Sequence, residues 1–140
     1  MKNWKKIVTV TLICFILFGT LGAFYIWNKP RRDVTKEQGI KIKAVALFDS
    51  FTNNEKAANN SFLDKPVEVT GVVTTIKTNQ AGETVVYLKS ADPVFGVNCT
   101  FKQMPGKIRK GSVISFKGIC TGFLNDVILN EGILTNGIDN

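Results

Sequence analysis

The chain divides near residue 30 into a part dominated by one long apolar run and a part with strong periodicity. Residues 7–27 form an apolar run of 21 residues without a charged side chain. At a rise of 1.5 Å per residue, a helix of this length reaches roughly 30 Å, the thickness of a membrane hydrocarbon core. Trp4, Tyr25 and Trp27 lie at the ends of the run, where amphipathic rings favour the membrane interface. The pattern predicts one transmembrane helix over residues 7–27.

Basic side chains lie on both sides of this run. Residues 1–6 form a basic tail with three lysines, and residues 28–40 form a polar linker that begins with Lys29, Arg31 and Arg32. The positive-inside rule therefore gives a tie, but a short basic tail before the helix is typical of a signal anchor whose N-terminus is cytoplasmic. We expect a single-pass protein whose following domain lies outside the cytoplasm, in a bacterial-type envelope.

The alternative is a secreted protein released by cleavage of a signal peptide. Thr20-Leu21-Gly22 is a poor match to the small-x-small cleavage site, and the apolar run continues past it to Trp27, which favours a retained anchor. A lipoprotein is not indicated, because Cys14 follows Leu12 and Ile13 where a small residue would be expected.

The next segment, residues 41–63, has apolar residues at helical spacing with one slip. These residues are Ile40, directly before the segment, and Ala44, Leu47, Phe48, Phe51, Ala58 and Phe62 within it. The spacing predicts a lead-in helix from about Lys41 to Asn59, weakened around residues 52–54, which are Thr-Asn-Asn. We expect this helix to close one end of the domain that follows.

Residues 64–140 change to the alternation of β-strands. Apolar residues recur at every second position from Val67 to Val73, and a hairpin loop is predicted at residues 79–82. Further strands are predicted at Thr84 to Lys89, Phe95 to Phe101, Ser112 to Cys120 and Asp126 to Leu134. Five strands with a long first one, a glycine inside it and a wide break between the third and fourth predict an all-β domain with one leading helix, the five-stranded OB-type barrel.

Several stretches resemble the tRNA-anti-like OB-fold family. They are residues 65–73 (KPVEVTGVV), 97–101 (VNCTF), 110–123 (KGSVISFKGICTGF) and 126–129 (DVIL), together with Asn54-Glu55 and Ala57-Ala58 in the lead-in segment. The resemblance covers about residues 41–135 and implies the fold. It does not imply an activity. Many members carry a cysteine in the last strand, where this chain has Asn130-Glu131-Gly132, so a pairing through that position is absent.

The charge distribution argues against generic electrostatic binding. The net charge is +7, but residues 34–140 carry 12 basic and 10 acidic side chains, a net of +2. The excess belongs to the flanks of the apolar run, where it meets lipid headgroups. A protein that binds nucleic acid mainly through its phosphate backbone normally has a more basic domain than this one.

The composition also disfavours catalysis and metal binding. The chain has no histidine, which removes the commonest general base and the commonest zinc ligand, and no CxxC pair. The sequence pattern indicates no nucleophilic side chain paired with a general base. We therefore expect a protein that is not an enzyme and needs no cofactor or metal.

Cys99 and Cys120 both fall on the inward parity of their predicted strands. Two readings stay open for them. They are two buried thiols that pack as small hydrophobic residues, or they form a disulfide between the third and fourth strands, which is permitted outside the cytoplasm.

Candidate ligand contacts are few. Tyr87 and Lys89 alternate with the positions of the second strand that are expected to be buried, so they fall on its outward side. Lys102 and Arg109 belong to a basic cluster around the break between strands three and four. Aromatic platforms and cations are what single-stranded nucleic acid requires of an OB fold, but a solvated loop is the simpler explanation of the basic cluster.

The sequence thus predicts a membrane-anchored, extracytoplasmic OB-fold binding or interaction module. Its expected partners are the membrane, through residues 7–27, and an envelope protein or glycan that the sequence does not identify. The alternative is a single-stranded nucleic-acid-binding OB-fold protein with Tyr87, Lys89, Lys102 and Arg109 as contacts.

Overall fold

The computed structural model describes residues 2–28, 33–103 and 106–137. The chain forms two compact units, Met1–Arg32 and Asp33–Asn140. The first contains helix α1 (Lys2–Trp27). The second contains β1 (Ile40–Lys43), α2 (Ala44–Asn53), α3 (Glu55–Phe62), β2 (Pro66–Thr78), β3 (Thr84–Lys89), β4 (Gly96–Phe101), β5 (Val113–Phe123) and β6 (Val127–Gly137).

Helix α1 is long and apolar enough to span a membrane. The segment Asn3–Trp27 has a mean hydropathy of 2.4 over its most apolar window, and none of that window is buried. Its threonines fit this apolar setting because they bond inside the helix. The hydroxyls of Thr9 and Thr11 donate to the carbonyl oxygens of Lys5 and Ile7, at 2.7 and 2.8 Å, so neither hydroxyl is left without a partner in an apolar solvent.

The second unit is a closed five-stranded barrel in the order β2-β3-β4-β6-β5, with β5 pairing back to β2. All pairs are antiparallel except β4 and β6, which run parallel. The long strand β2 makes closure possible, because its first half pairs with β5 while its second half pairs with β3. The five predicted strands are confirmed, as is the barrel fold that they predicted.

Strand β1 is a sixth strand that the sequence analysis missed. Ile40–Lys43 pairs in parallel with Val67 to Thr70 of β2, alongside the half of β2 that β3 leaves open. The predicted helix over residues 41–63 therefore begins too early. The sequence Ile-Lys-Ile-Lys alternates with a period of two, which is the period of a strand, and the helix starts only at Ala44.

The helical segment is also divided in two, at the place where it was expected to be weak. Asn54 ends α2 and caps α3, where its side-chain oxygen accepts a hydrogen bond from the Ala57 N–H at 3.0 Å. Phe51 of α2 stacks on Phe123 of β5 with ring centroids 5.6 Å apart, and contacts Phe62 of α3 at 6.1 Å. These rings join the helices to one end of the barrel.

Close packing in the barrel explains the glycine inside β2. A side chain at Gly71 would place its Cβ 2.8 Å from the Cβ of Ala44 and 3.2 Å from a methyl of Leu88. Both neighbours are buried, at 1% exposure. Helix α2 can therefore lie against the barrel only because position 71 carries no side chain.

Residues 33–39, which we call the strap, belong to the barrel unit and are not a free linker. Val34 is 3% exposed. The ammonium of Lys117 on β5 donates to the carbonyl oxygens of Thr35 and Glu37, at 3.2 and 2.9 Å. Hydrogen bonds from the side chain and backbone of Thr35 hold the pKa of Asp33 below its ordinary value. The expected linker over residues 28–40 thus ends where the strap begins.

Candidate functional site

The outer surface of strands β2, β3 and β4 carries the candidate site. Alternate residues of β3 and β4 point into the core and are at most 1% exposed: Val86, Leu88, Val97, Cys99 and Phe101. The residues between them point outward. We call these outward residues, with their neighbours on β2, the outer face: Thr75, Lys77, Val85, Tyr87, Lys89, Asn98 and Thr100.

A β-bulge decides which residues of β2 join this face. The register of β2 against β3 shifts between Val73 and Thr75, so Val73 pairs with Leu88 and Thr75 with Tyr87. The shift keeps Ile76 in the core and turns Lys77 outward. The hydroxyl of Thr74, the extra residue, donates to the carbonyl oxygen of Tyr87 at 3.2 Å.

Tyr87 is the centre of the outer face. Its ring is half-buried, and the ammonium of Lys77 lies 5.6 Å from the ring centroid, within the range of a cation–π contact. Lys89, two residues further along β3, is exposed. The two lysines therefore lie on opposite sides of Tyr87. Each is displaced from it by two strand positions, about 7 Å along the backbone. The outer face contains no acidic residue.

Asn98 lies beside Tyr87 in register, with Ile128 of β6 on its other side. Only 9% of Asn98 is exposed. Its side chain makes no hydrogen bond to any residue in the described part of the chain, and no fully buried side-chain polar atom in that part lacks a partner. The amide must therefore retain some contact with solvent.

The structure does not bring the four predicted contacts together. Tyr87 and Lys89 share the outer face, whereas Lys102 directly follows Phe101 at the opposite end of β4 from Lys89, which pairs with Gly96. Five residues of strand between those ends span about 17 Å. Arg109 lies further along the chain, in a turn. Its own carbonyl oxygen accepts a hydrogen bond from the Ser112 N–H at 3.2 Å. Sequence reasoning missed Lys77 and Asn98.

Cys99 and Cys120 are free and fully buried. Both pair with Leu129 of β6, which lies between them. Two strand spacings separate their Cα atoms by about 10 Å, too far for a disulfide, which requires less than about 7 Å. The geometry therefore contradicts the disulfide alternative and leaves two thiols. Burial raises the pKa of the Cys99 thiol well above its usual range and also raises that of Cys120.

The loops at the start of β4 hold their shape through carboxylates. Asp126 accepts a hydrogen bond from the Gly96 N–H at 2.6 Å. The N–H groups of Phe95 and Val94 donate to Asp92 and keep the pKa of that carboxyl below its usual value. Phe95, expected on the inward face of the third strand, precedes β4 and is 39% exposed.

The described residues offer no cluster of three or more His, Cys, Asp or Glu side chains that could hold a metal ion. What the outer face offers is recognition chemistry: one ring, two cations, an amide and two hydroxyls on a rigid sheet.

Comparison with known proteins supports the architecture. The crystal structure of a candidate nucleic acid-binding lipoprotein from Klebsiella pneumoniae subsp. pneumoniae is similar, with a TM-score of 0.56, 22% sequence identity and coverage of 77% of this chain and 100% of that chain. At this identity the likeness shows the fold alone. A search of curated proteins finds no match. The model of the tRNA_anti-like family matches residues 1–132, which confirms the resemblance found in the sequence, and the chain belongs to the tRNA_anti-like family.

Proposed function

We propose that this protein is a non-catalytic binding module, held at the membrane by α1 and presented outside the cytoplasm. The observation that carries the proposal is the outer face, a rigid three-strand surface with a half-buried ring, two lysines and no acidic residue. This is the surface that OB folds commonly use for oligonucleotides and oligosaccharides. An envelope protein or glycan is the first class of ligand, as the nearly neutral charge of residues 34–140 suggests.

The anchor is supported by the apolar length of α1 and by the aromatic residues at its ends. Carbonate washing of membranes from cells that express the full chain tests it. We expect the chain to stay in the membrane pellet and to keep residues 7–27, as read by intact mass. Release of the full chain by carbonate would contradict the anchor, and a mature chain that starts after residue 20 would establish cleavage.

The orientation has its own test. In intact spheroplasts, added protease should degrade the barrel, while a cytoplasmic marker protein stays whole. Protection of the barrel until lysis would place it on the cytoplasmic side and contradict the extracytoplasmic part of the proposal.

Binding of single-stranded nucleic acid is the second candidate function. It is favoured by Lys77 and Lys89 on either side of Tyr87, and it accords with the description of the Klebsiella relative. Fluorescence anisotropy of the detergent-solubilised full chain separates the candidates, with a labelled mixed-sequence single-stranded DNA and a labelled N-acetylglucosamine oligomer as probes at about 150 mM salt. Changing Tyr87 to Ala should abolish binding of whichever probe the outer face takes. Binding that survives this change would place the contact elsewhere.

A further inference from the structure

We propose that the loop between β4 and β5 docks the barrel on the surface of the membrane that α1 spans, by binding anionic phospholipid headgroups. We call residues 102–112 the basic loop. It contains no acidic and no aromatic residue, and its cations are Lys102, Lys107, Arg109 and Lys110. The inference rests on the anchor in the proposed function and adds a second, reversible contact with the same membrane.

The positive charge of the basic loop is not neutralised within the barrel. All four cationic side chains are exposed, and none of them forms an ion pair with a residue in the described part of the chain. Glu83 comes close to Lys102 in the strand register, because Thr84 pairs with Phe101. Its carboxylate accepts a hydrogen bond from the Asn79 side chain at 2.9 Å, within its own hairpin. The cations therefore remain available to an external anion.

A buried residue holds most of these cations in place. Ile108 is 8% exposed and belongs to the core, and it lies between Lys107 and Arg109 in the sequence. The Gly111 N–H donates to the carbonyl oxygen of Val73 at 2.7 Å, which ties the end of the loop to β2. The cations around Ile108 are thus carried on a fixed turn, and little backbone freedom is lost when they contact a surface.

The charges of the barrel are separated along its strands. Asp92 and Asp126 accept hydrogen bonds from the segment that leads into β4, whereas the basic loop begins after Phe101, at the other end of that strand. The barrel unit is therefore positive at one end, although residues 34–140 have a net charge of only +2. Such a separation orients a domain over an anionic surface.

The covalent link to α1 supplies the affinity that so few cations lack alone. Asp33, the first residue of the barrel unit, follows Trp27 by six residues, at most about 22 Å of extended chain. A domain confined so near a surface meets it at a high effective concentration. Each lysine or arginine close to an anionic membrane then strengthens the contact about fivefold.

A nucleic acid is the less suitable anion for this loop. Single-stranded nucleic acid is held by cations that follow its backbone together with rings on which its bases stack. The basic loop has no ring, and its cations are gathered at one end of the barrel. A lipid surface requires neither a ring nor a linear track of charge.

The test places the full chain in lipid nanodiscs, either of phosphatidylcholine alone or with about a third of phosphatidylglycerol. A fluorophore is attached through Gln103→Cys in a Cys14→Ser background, where the native thiols Cys99 and Cys120 are buried. A nitroxide on the lipid headgroup quenches the fluorophore at short range. We expect quenching to be at least about twofold stronger in the anionic discs and to decline between about 50 and 500 mM salt.

Removal of the cations around Ile108 should abolish this difference between the two lipids. In the triple variant Lys107→Gln, Arg109→Gln, Lys110→Gln, the docking equilibrium in anionic discs should shift about a hundredfold toward the free barrel. Quenching of the Gln103→Cys label should then fall to the level seen in neutral discs.

A matched control removes the same charge elsewhere. Lys41→Gln, Lys43→Gln and Lys56→Gln change three exposed lysines of β1 and α3, and this variant should keep the stronger quenching in anionic discs. A label at Asn125→Cys, in the exposed turn before β6, reports on the other end of the barrel and should show no added quenching in anionic discs.

The remaining outcomes separate the proposals. Equal quenching of the Gln103→Cys label in both lipids, from a chain that stays in the discs, would overturn the docking and leave the anchor. Loss of the chain from the discs would overturn both. Release of the label by inorganic phosphate, but not by sodium chloride of equal ionic strength, would indicate a site for a single phosphate and overturn surface docking. Binding of oligodeoxythymidine in neutral discs that the triple variant abolishes would assign the loop to nucleic acid instead.

Discussion

The interior of the barrel and its outer face are built from the same three strands but by different rules. Inside, Val86, Leu88, Val97 and Cys99 are sequestered almost completely, and each depends on its neighbours for packing. Outside, one ring, two lysines and an amide lie on a surface that solvent reaches. We therefore expect stability to depend chiefly on the interior, and the residues available for recognition to contribute little to it.

Burial of the two cysteines should give the largest effect. In a Cys14→Ser background, Cys99 and Cys120 should react with a thiol reagent only when the barrel opens. Slowing of about a thousandfold relative to the unfolded chain corresponds to an unfolding free energy of about 4 kcal/mol, and a more stable barrel should slow the reaction further. Rapid labelling of native protein would contradict the packed interior, and absence of free thiols after denaturation would restore the disulfide.

The same thiols predict a pH dependence. Their pKa values are higher in the folded protein than the ordinary 9.0, chiefly because burial disfavours the thiolate. Their contribution to stability is therefore complete below pH 9 and declines as the pH rises further, because the unfolded chain ionises first. Urea unfolding between pH 7 and 10.5 should show this loss in wild type and a smaller loss in a Cys99→Ala, Cys120→Ala variant.

Filling the space at Gly71 should have the next largest effect. Gly71→Val puts a branched side chain where Ala44 already lies 2.8 Å from a Cβ, so we expect a loss of about 1–3 kcal/mol from overpacking. Thr78→Val is the control, since Thr78 is exposed at the end of β2 and should change stability by less than about 0.5 kcal/mol. Equal melting temperatures for both variants would contradict the close approach of α2 to β2.

Changes on the outer face should have the smallest effect on stability. Lys77→Met removes the ammonium from the Tyr87 ring, and exposed cation–π contacts are worth about 0.5–1 kcal/mol. Lys89→Met, on the same face without a ring contact, should leave the unfolding midpoint in urea unchanged. A loss above about 2 kcal/mol for Lys77→Met would mean that this residue supports the fold, and the contrast between interior and surface would fail there.

The alternation of apolar residues was enough to predict the five barrel strands, because each has one buried side. Strand β1 was missed because Ile40 also fits a helical pattern when Ala44 and Leu47 follow it. Over only four residues, a sequence pattern does not distinguish the period of a strand from that of a helix. The pairing with Val67 to Thr70 establishes the strand.

The candidate site was predicted only in part, and the bulge in β2 is the physical reason. Strict alternation from Val67 would put Lys77 inside the barrel, so no sequence rule placed it beside Tyr87. One extra residue at Thr74 reverses the faces of the strand from that point on. Asn98 was not recognised as a candidate because its register with Tyr87 and Ile128 follows only from the strand order.

The strap has a mechanical consequence. Any pull transmitted along the chain from the N-terminal side arrives at Asp33 and meets Val34 and the two hydrogen bonds from Lys117 before it meets the β1 ladder. Because Val34 and these two hydrogen bonds hold the strap, whereas each barrel strand is held by a full ladder, we expect the strap to yield before the barrel does. Under load it would detach first and lengthen the connection by up to seven residues, about 24 Å of extended chain, while the five-stranded core remains closed.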